Sequence, residues 1–246
     1  MDINMIRYES IGSTNTEAAE QARRGASEGT CVIAREQTEG RGRYGRSWVS
    51  GKDAGLYLSV VLRPKLDLRF QPLITLMTGV AVHDALTELG VSPDIKWVND
   101  LLVKEKKIGG ILAEAVATPT GNAVIVGIGV NLRSWNFPPE IAETATSIEA
   151  ETGRILHADS VAEPITRHLS HFYQVLNETA GAANIIKEWS ERSTYFEGKM
   201  VKVTLSDKMI EGVTAGLEEN GALRVKTGDD LVIIVEAGNV ERLRAQ

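Results

Sequence analysis

Nine residues, Gly40 to Trp48 (GRGRYGRSW), hold three arginines, Arg41, Arg43 and Arg46, interleaved with three glycines and closed by an indole. Guanidinium forks match the oxygens of phosphate and carboxylate, and glycines let backbone N–H groups approach an anion closely. The chemistry open to such a stretch is electrostatic: it could grip a polyanion such as a nucleotide or a nucleic acid. Without an anionic client it would be a solvated loop with scattered arginines. It is a mobile loop in either case, because alternating Gly and Arg leaves no apolar period for a helix or strand.

Other stretches carry polar groups at telling places. Ser13-Thr14-Asn15 opens a helix, where capping alone would also explain the hydroxyls. Lys96, Asn99 and Asp100 (KWVND) stand at the end of a short strand, although any polar loop could look similar. Lys107 precedes Gly109-Gly110 in KIGGILAE, and a lysine beside such glycines can neutralise a carboxylate or phosphate. Gly127 and Gly129 in GIGVN fall mid-strand, where glycine costs stability and marks close approach of a ligand or another backbone. His168 and His171 are spaced i, i+3 with no third ligand nearby, which makes them surface or core residues.

The elements that must position these groups follow from pattern. Strands are expected at Ile6–Tyr8, Thr30–Ala34, Gly55–Arg63, Asp94–Val98, Asp100–Val103, Lys107–Val116 and Ala123–Leu132. Thr14 and Glu17 fit a capping box that starts a helix, with Arg23 and Arg24 in its last turn and Gly25 at C′. Pro72 suits the first turn of a helix whose Leu73, Leu76, Met77, Val80 and Ala81 share one core-facing side. Two further helices are expected at Asp159–Glu178 and Ala183–Arg192, after a loop at WNFPPE. From Phe196 onward, short strands at Lys199–Leu205, Met209–Leu217, Leu223–Lys226, Leu231–Glu236 and Val240–Leu243 alternate with turns at Ser206-Asp207, Asn220-Gly221 and Gly228-Asp229. That pattern suits a small β-barrel of SH3 or OB size and puts a domain boundary near Tyr195, giving residues 1–195 and 196–246.

The chain of 246 residues is long enough for one sizeable core with a small companion. Its net charge of −6 weighs against a dedicated DNA or RNA binder, so the positive charge of the loop is local. A single cysteine, Cys31, leaves no internal disulfide and no thiolate-built zinc site. With no secretory signal and no apolar run of membrane-spanning length, the cytoplasm is the expected compartment.

In order and spacing these stretches resemble the biotin protein ligases over nearly the whole chain. The family's loop is of the type GRGRxGRxW, and residues 40–48 fit it position by position. Its KWPND element is present as KWVND, with Val98 in place of proline, and KIGGILAE and GIGVN are intact. The resemblance implies an α+β fold: a mixed β-sheet with helices, like the class II aminoacyl-tRNA synthetase catalytic domain, plus a C-terminal SH3-like β domain. It implies an ATP-dependent ligase that joins biotin to ATP as biotinyl-5′-adenylate, then transfers biotin to a lysine of a biotin carboxyl carrier protein. Only about a dozen residues precede Ser13, so the form without a DNA-binding repressor domain is expected, with no DNA or membrane partner and a possible homodimer.

By the same resemblance, Arg43 and Lys107 are the catalytic candidates, as electrostatic stabilisers. Ser13, Thr14, Asn15, Gln37, Gly40, Arg41, Lys107, Gly110 and Gly127 would meet biotin. Arg43, Arg46, Trp48, Lys96, Asn99, Asp100, Lys107 and Asn131 would meet ATP and the adenylate, with Asp100 a ligand for Mg²⁺ as cofactor. Tyr44 occupies a variable position of the motif and has no assigned role. The rival of the same fold is a lipoate ligase or octanoyl transferase. Those relatives lack the loop as a unit, and an acyl-enzyme route needs a reactive thiol, whereas Cys31 falls in an expected buried strand.

Overall fold

Strands buried on both faces read as unbroken apolar runs, and two of them lie side by side within the main sheet. Every residue of β2 (Thr30–Ala34) and β3 (Gly55–Leu62) is buried in the computed structural model, which describes residues 1–134, 137–205, 209–236 and 238–242. With β1 (Asn4–Tyr8), β4 (Asp94–Lys96), β5 (Asp100–Val103), β6 (Lys106–Thr118) and β7 (Gly121–Asn131) they make a seven-stranded sheet in the order β1-β2-β3-β7-β6-β5-β4. β1 runs parallel to β2, and the remaining pairs are antiparallel. The sheet is therefore mixed.

Alternation sends successive side chains to opposite faces. On one face Val32, Val61 and Ile125 pack against Ala18, Ala19 and Ala22 of α1 (Thr14–Arg23). On the other, Leu58, Val60, Val126 and Ile128 join α2 (Leu73–Glu88), backed by the longer α5 (Ala158–Leu176) and by α6 (Gly181–Ser190). Two short helices, α3 (Pro139–Ala142) and α4 (Ile148–Thr152), connect β7 to α5, and neither is expected from sequence. The second sheet is antiparallel, in the order β11-β10-β9-β8-β12, from β8 (Glu197–Thr204), β9 (Met209–Leu217), β10 (Leu223–Lys226), β11 (Val232–Val235) and β12 (Asn239–Arg242). The architecture is the expected α+β class with a small C-terminal β unit. The two sheets share one core: the turn at Gly221 (φ 86°) lies against Leu73 and Leu76, and Trp97 Nε1 donates to the Gly221 carbonyl at 3.0 Å.

Two local expectations need correction. The capping box does not form: Ser13 is the N-cap, without a side-chain cap bond, and Thr14 Oγ1 instead donates to Gln37 Oε1 at 3.0 Å. Glu17 accepts from Tyr8 Oη and Gln21 Nε2 rather than reaching back to the cap. The strand expected over Asp94–Val98 stops at Lys96, and the Trp97–Val98 peptide is cis. Of the other expected features, Ser206, Asp207, Trp135, Asn136 and Leu243 lie outside the described residues.

Candidate active site

Sheet register lays the floor of a cleft. Asp100 pairs with Gly110, Gly110 with Gly129, and Gly129 with Tyr57, while Leu112 pairs with Gly127 and Gly127 with Ser59. These two rows share the α1 face of the sheet, and the glycines keep that floor low. A Cβ on Gly129 would stand 2.6 Å from Trp48 Cε2, and one on Gly110 would stand 3.2 Å from Trp48 Cζ3, so the indole lies on a surface that only glycines leave open. The space above Gly127 belongs to Asn15, whose Oδ1 would be 2.2 Å from an added Cβ.

Along the cleft runs a polar chain, buried at Ser59 and exposed at its Arg41 end. Asn15 Nδ2 donates to Glu114 Oε2 at 2.7 Å, and Asn15 Oδ1 accepts from Ser59 Oγ at 2.6 Å. Ser59 Oγ also lies 2.8 Å from Thr14 Oγ1. The Thr14 amide and hydroxyl both donate to Gln37 Oε1, and Gln37 Nε2 donates to Ser50 Oγ at 2.9 Å. Ser50 Oγ donates to the Trp48 carbonyl at 3.0 Å, and Glu114 Oε2 accepts from Arg41 Nη2 at 2.8 Å, so both ends of the chain reach the arginine loop. Linked buried hydrogen bonds of this kind fix side-chain orientation, because each unpaired member would carry a desolvation cost.

The loop closes on itself. Trp48 N–H donates to the Gly40 carbonyl and Gly42 N–H to the Arg46 carbonyl, at 2.8 and 2.7 Å. A Cβ on Gly40 would stand 2.4 Å from the Trp48 carbonyl, which requires glycine at the neck. At the tip, Arg43–Gly45 forms one turn of 3-10 helix, and Tyr44 takes left-handed angles (φ 56°, ψ 37°). Arg43 Nη1 donates to Asn99 Oδ1 at 3.1 Å, and Asn99 Nδ2 donates to the Ile111 carbonyl at 3.0 Å.

Charge is arranged asymmetrically around the cleft. Asp100 Oδ1 pairs with Lys107 Nζ at 2.5 Å and Oδ2 with Lys96 Nζ at 3.1 Å. Burial alone would raise the Asp100 pKa, but the two ammonium groups outweigh it and hold the carboxyl below its usual range. Lys107 Nζ also lies 5.4 Å from the centre of the Trp48 ring, within cation–π range. Arg41 is neutralised by Glu114, whereas the polar partners of Arg43 among the described residues, Asn99 and Tyr44, are both neutral. The Arg43 charge is left for an incoming anion.

Together these groups bound one continuous cleft. The structure brings Ser13, Thr14, Asn15, Gln37, Arg41, Arg43, Arg46, Trp48, Asn99, Asp100, Lys107, Gly110 and Gly127 into the lining of this one cleft. Gly40, Lys96 and Asn131 are outside that lining. Asn131 Nδ2 donates to the carbonyls of Lys107 and Thr146, at 3.2 and 2.9 Å, and so braces the start of the Lys107 strand. Sequence reasoning missed Ser59 and Glu114. Ser59 is fully buried and Glu114 reads as a polar end to an apolar run, so only the register reveals them.

As a Mg²⁺ site Asp100 fits poorly, because each of its oxygens already faces an ammonium group. Among the described residues no group of three or more His, Cys, Asp or Glu side chains could hold a metal ion. Burial pushes the Cys31 thiol up to about 12, which leaves it no thiolate for an acyl-enzyme step at neutral pH.

The biotin/lipoate A/B protein ligase family matches residues 8–131, and the biotin protein ligase C-terminal domain matches residues 197–242. The chain is 34% identical over 221 residues to the biotin–[acetyl-CoA-carboxylase] ligase of Paracoccus denitrificans, covering 86% of this chain and 89% of that one. It is 33% identical over 241 residues to the bifunctional ligase/repressor BirA of Bacillus subtilis (strain 168), covering 96% of this chain and 74% of that one. Among solved structures, the biotin protein ligase from Aquifex aeolicus in complex with biotin and ATP superposes with a TM-score of 0.85 at 30% identity, covering 98% of this chain and 99% of that one. Motifs, fold and both matched segments agree, and the chain belongs to the biotin/lipoate A/B protein ligase family.

Proposed function

We propose that this chain is an ATP-dependent biotin–protein ligase, which forms biotinyl-5′-AMP and transfers the biotinyl group to a lysine of a biotin carboxyl carrier protein. The observation that carries this reading is the meeting of two unlike walls in one cleft. One wall is neutral and hydrogen-bonding, from Ser13, Thr14, Asn15 and Gln37, and suits a ureido ring. The other is cationic, from Arg43, Arg46 and Lys107, and suits a carboxylate brought against a triphosphate.

In the first step a biotin carboxylate oxygen attacks the α-phosphorus of ATP, the bond from that phosphorus to the bridging oxygen breaks, and pyrophosphate leaves. Like charges repel as the reactants meet, and Lys107 and Arg43 offset that repulsion as fixed cations rather than as nucleophiles. The ionised Asp100 carboxylate anchors Lys107 and Lys96, and Asn99 anchors Arg43. Trp48 presents an aromatic face beside Lys107 for the adenine, and its buried Nε1–H, without a hydrogen-bond partner among the described residues, suits an acceptor on a ligand. In the second step the acceptor lysine, as a free amine, attacks the acyl carbon, the carbon–oxygen bond to the phosphate breaks, and AMP leaves while the amide nitrogen loses a proton.

Mg²⁺ belongs in this reading with the phosphates of ATP, since hard oxygen ligands from substrate commonly hold that ion. The division into residues 1–195 for biotin and ATP and 196–246 as a companion β unit is supported by the change of sheet at Glu197. No helix among the described residues is long and apolar enough to cross a membrane, in keeping with cytoplasmic work on a carrier protein. A homodimer fits the same reading.

The test is incubation of the purified protein with ATP, labelled biotin and a biotin carboxyl carrier domain. Label in amide linkage on one carrier lysine is the expected result. Preferential transfer of lipoyl or octanoyl groups to a lipoyl domain would contradict it.

A further inference from the structure

Tyr44 occupies a variable position of the arginine loop, yet the structure gives it a specific geometry. Its backbone sits in the left-handed region at φ 56° and ψ 37°, costing a bulky L-residue about 1 kcal/mol or more. Gly45 follows at φ 71°, and the two together turn the loop tip back on itself. In that conformation the Tyr44 hydroxyl accepts from Arg43 Nη2 at 3.0 Å, and the guanidinium carbon lies 4.8 Å from the centre of the Tyr44 ring. The other arm, Nη1, is held by Asn99 Oδ1 at 3.1 Å. Tyr44 is otherwise 61% exposed, so packing into a core does not account for the strained backbone.

We propose that Tyr44 is a positioning residue for Arg43, fixing the plane of its guanidinium so that the remaining N–H groups meet the phosphate of the adenylate. This rests on the ligase reading of the cleft and on the role given there to Arg43. A guanidinium is planar with five N–H donors, and two of its nitrogens pinned by neutral oxygens define its orientation without reducing its charge. A carboxylate in either place would have pinned it and also cancelled the charge the phosphate needs. A free arginine side chain carries about 2 kcal/mol of rotamer entropy, part of which the Tyr44 and Asn99 contacts remove before ligand arrives. The aromatic face adds cation–π attraction on one side of the plane.

The test is a double-mutant cycle read on adenylate escape. The protein is loaded with labelled biotin and ATP, chased with excess unlabelled biotin and ATP, and release of labelled adenylate is timed. Tyr44→Phe removes only the hydroxyl and is expected to speed release about three- to tenfold, as loss of one hydrogen bond would. In an Arg43→Gly background the same change is expected to do nothing further, which a general disturbance of the loop would not mimic. Tyr44→Gly removes ring and strain together, so it is expected to speed release without lowering the thermal unfolding midpoint. Unchanged release in Tyr44→Phe, or an equal acceleration in both backgrounds, would overturn the positioning role while leaving Arg43 in place. Unchanged release in Arg43→Gly itself would remove the Arg43 assignment and this inference with it.

Discussion

At the scale of single residues the account turns on Lys107. Among the described residues it is the one lysine that lines the cleft, and it is paired with Asp100 and set beside Trp48. Lys107→Ala is expected to cut biotin-dependent pyrophosphate release by about a hundred- to thousandfold, the typical cost of removing one preorganised electrostatic donor. Near-normal release would mean that Lys107 only balances the charge of Asp100. The same substitution leaves Asp100 with Lys96 as partner, so the fold should survive it. Lys107 could be picked out from sequence because a lysine among glycines in a β-run is unusual chemistry in an unusual place. Glu114 could not be, because its partners Asn15 and Arg41 are 99 and 73 residues away along the chain.

At the scale of elements, strand register does the positioning. Gly110 and Gly129 are directly paired, and together they make the shelf for Trp48. Gly129→Ala is expected to displace the indole and raise KM for ATP several-fold with little change in KM for biotin, since the new Cβ would stand 2.6 Å from Trp48 Cε2 and the Thr14–Gln37 contacts lie elsewhere. An unchanged KM for ATP would show that Trp48 has no part in nucleotide binding. The strands themselves were legible as apolar runs, but which glycine faces which side chain was not, because pairing is fixed by tertiary packing. The expected capping box failed for a related reason: Thr14 finds a better partner in Gln37, a residue the local pattern cannot see.

Elements outside the site hold the frame. Asp84 on α2 takes a paired contact from Arg192 at 2.6 and 2.9 Å and a further one from His83 Nδ1 at 2.9 Å. Burial would raise its pKa, but those bonds and charges outweigh it and lower it to about 2 from an ordinary 3.8. A carboxyl depressed in the folded state stabilises the fold above its unfolded pKa, and that contribution is lost as pH falls through the folded value. Asp84→Asn should therefore cost about 1 to 2 kcal/mol at pH 7, after solvent screening, with the gap to the parent closing between about pH 4 and pH 2. Urea unfolding at several pH values checks this, and a gap independent of pH would contradict it.

At the scale of the whole molecule, the neutral wall of Thr14, Asn15 and Gln37 belongs to one continuous polar chain that begins and ends in the arginine loop, at Arg41 and Trp48. Ligand seated on that chain should therefore tighten the loop, and trypsin cleavage after Arg41, Arg43 or Arg46 is expected to slow on adding biotin with ATP. Equal rates would separate the loop from the ligand. The run of short strands after Phe196 was legible, but the seating of the Gly221 turn on Leu73 and Leu76 was not, because nothing local in Asn220-Gly221 names its partner. The central claim is that this cleft adenylates biotin. Its most direct measurement is mass spectrometry of the small molecules retained after the protein is incubated with biotin and ATP, without acceptor, and desalted. Bound biotinyl-5′-AMP with a matching amount of pyrophosphate is the predicted result, and retention of unreacted biotin without pyrophosphate would contradict it.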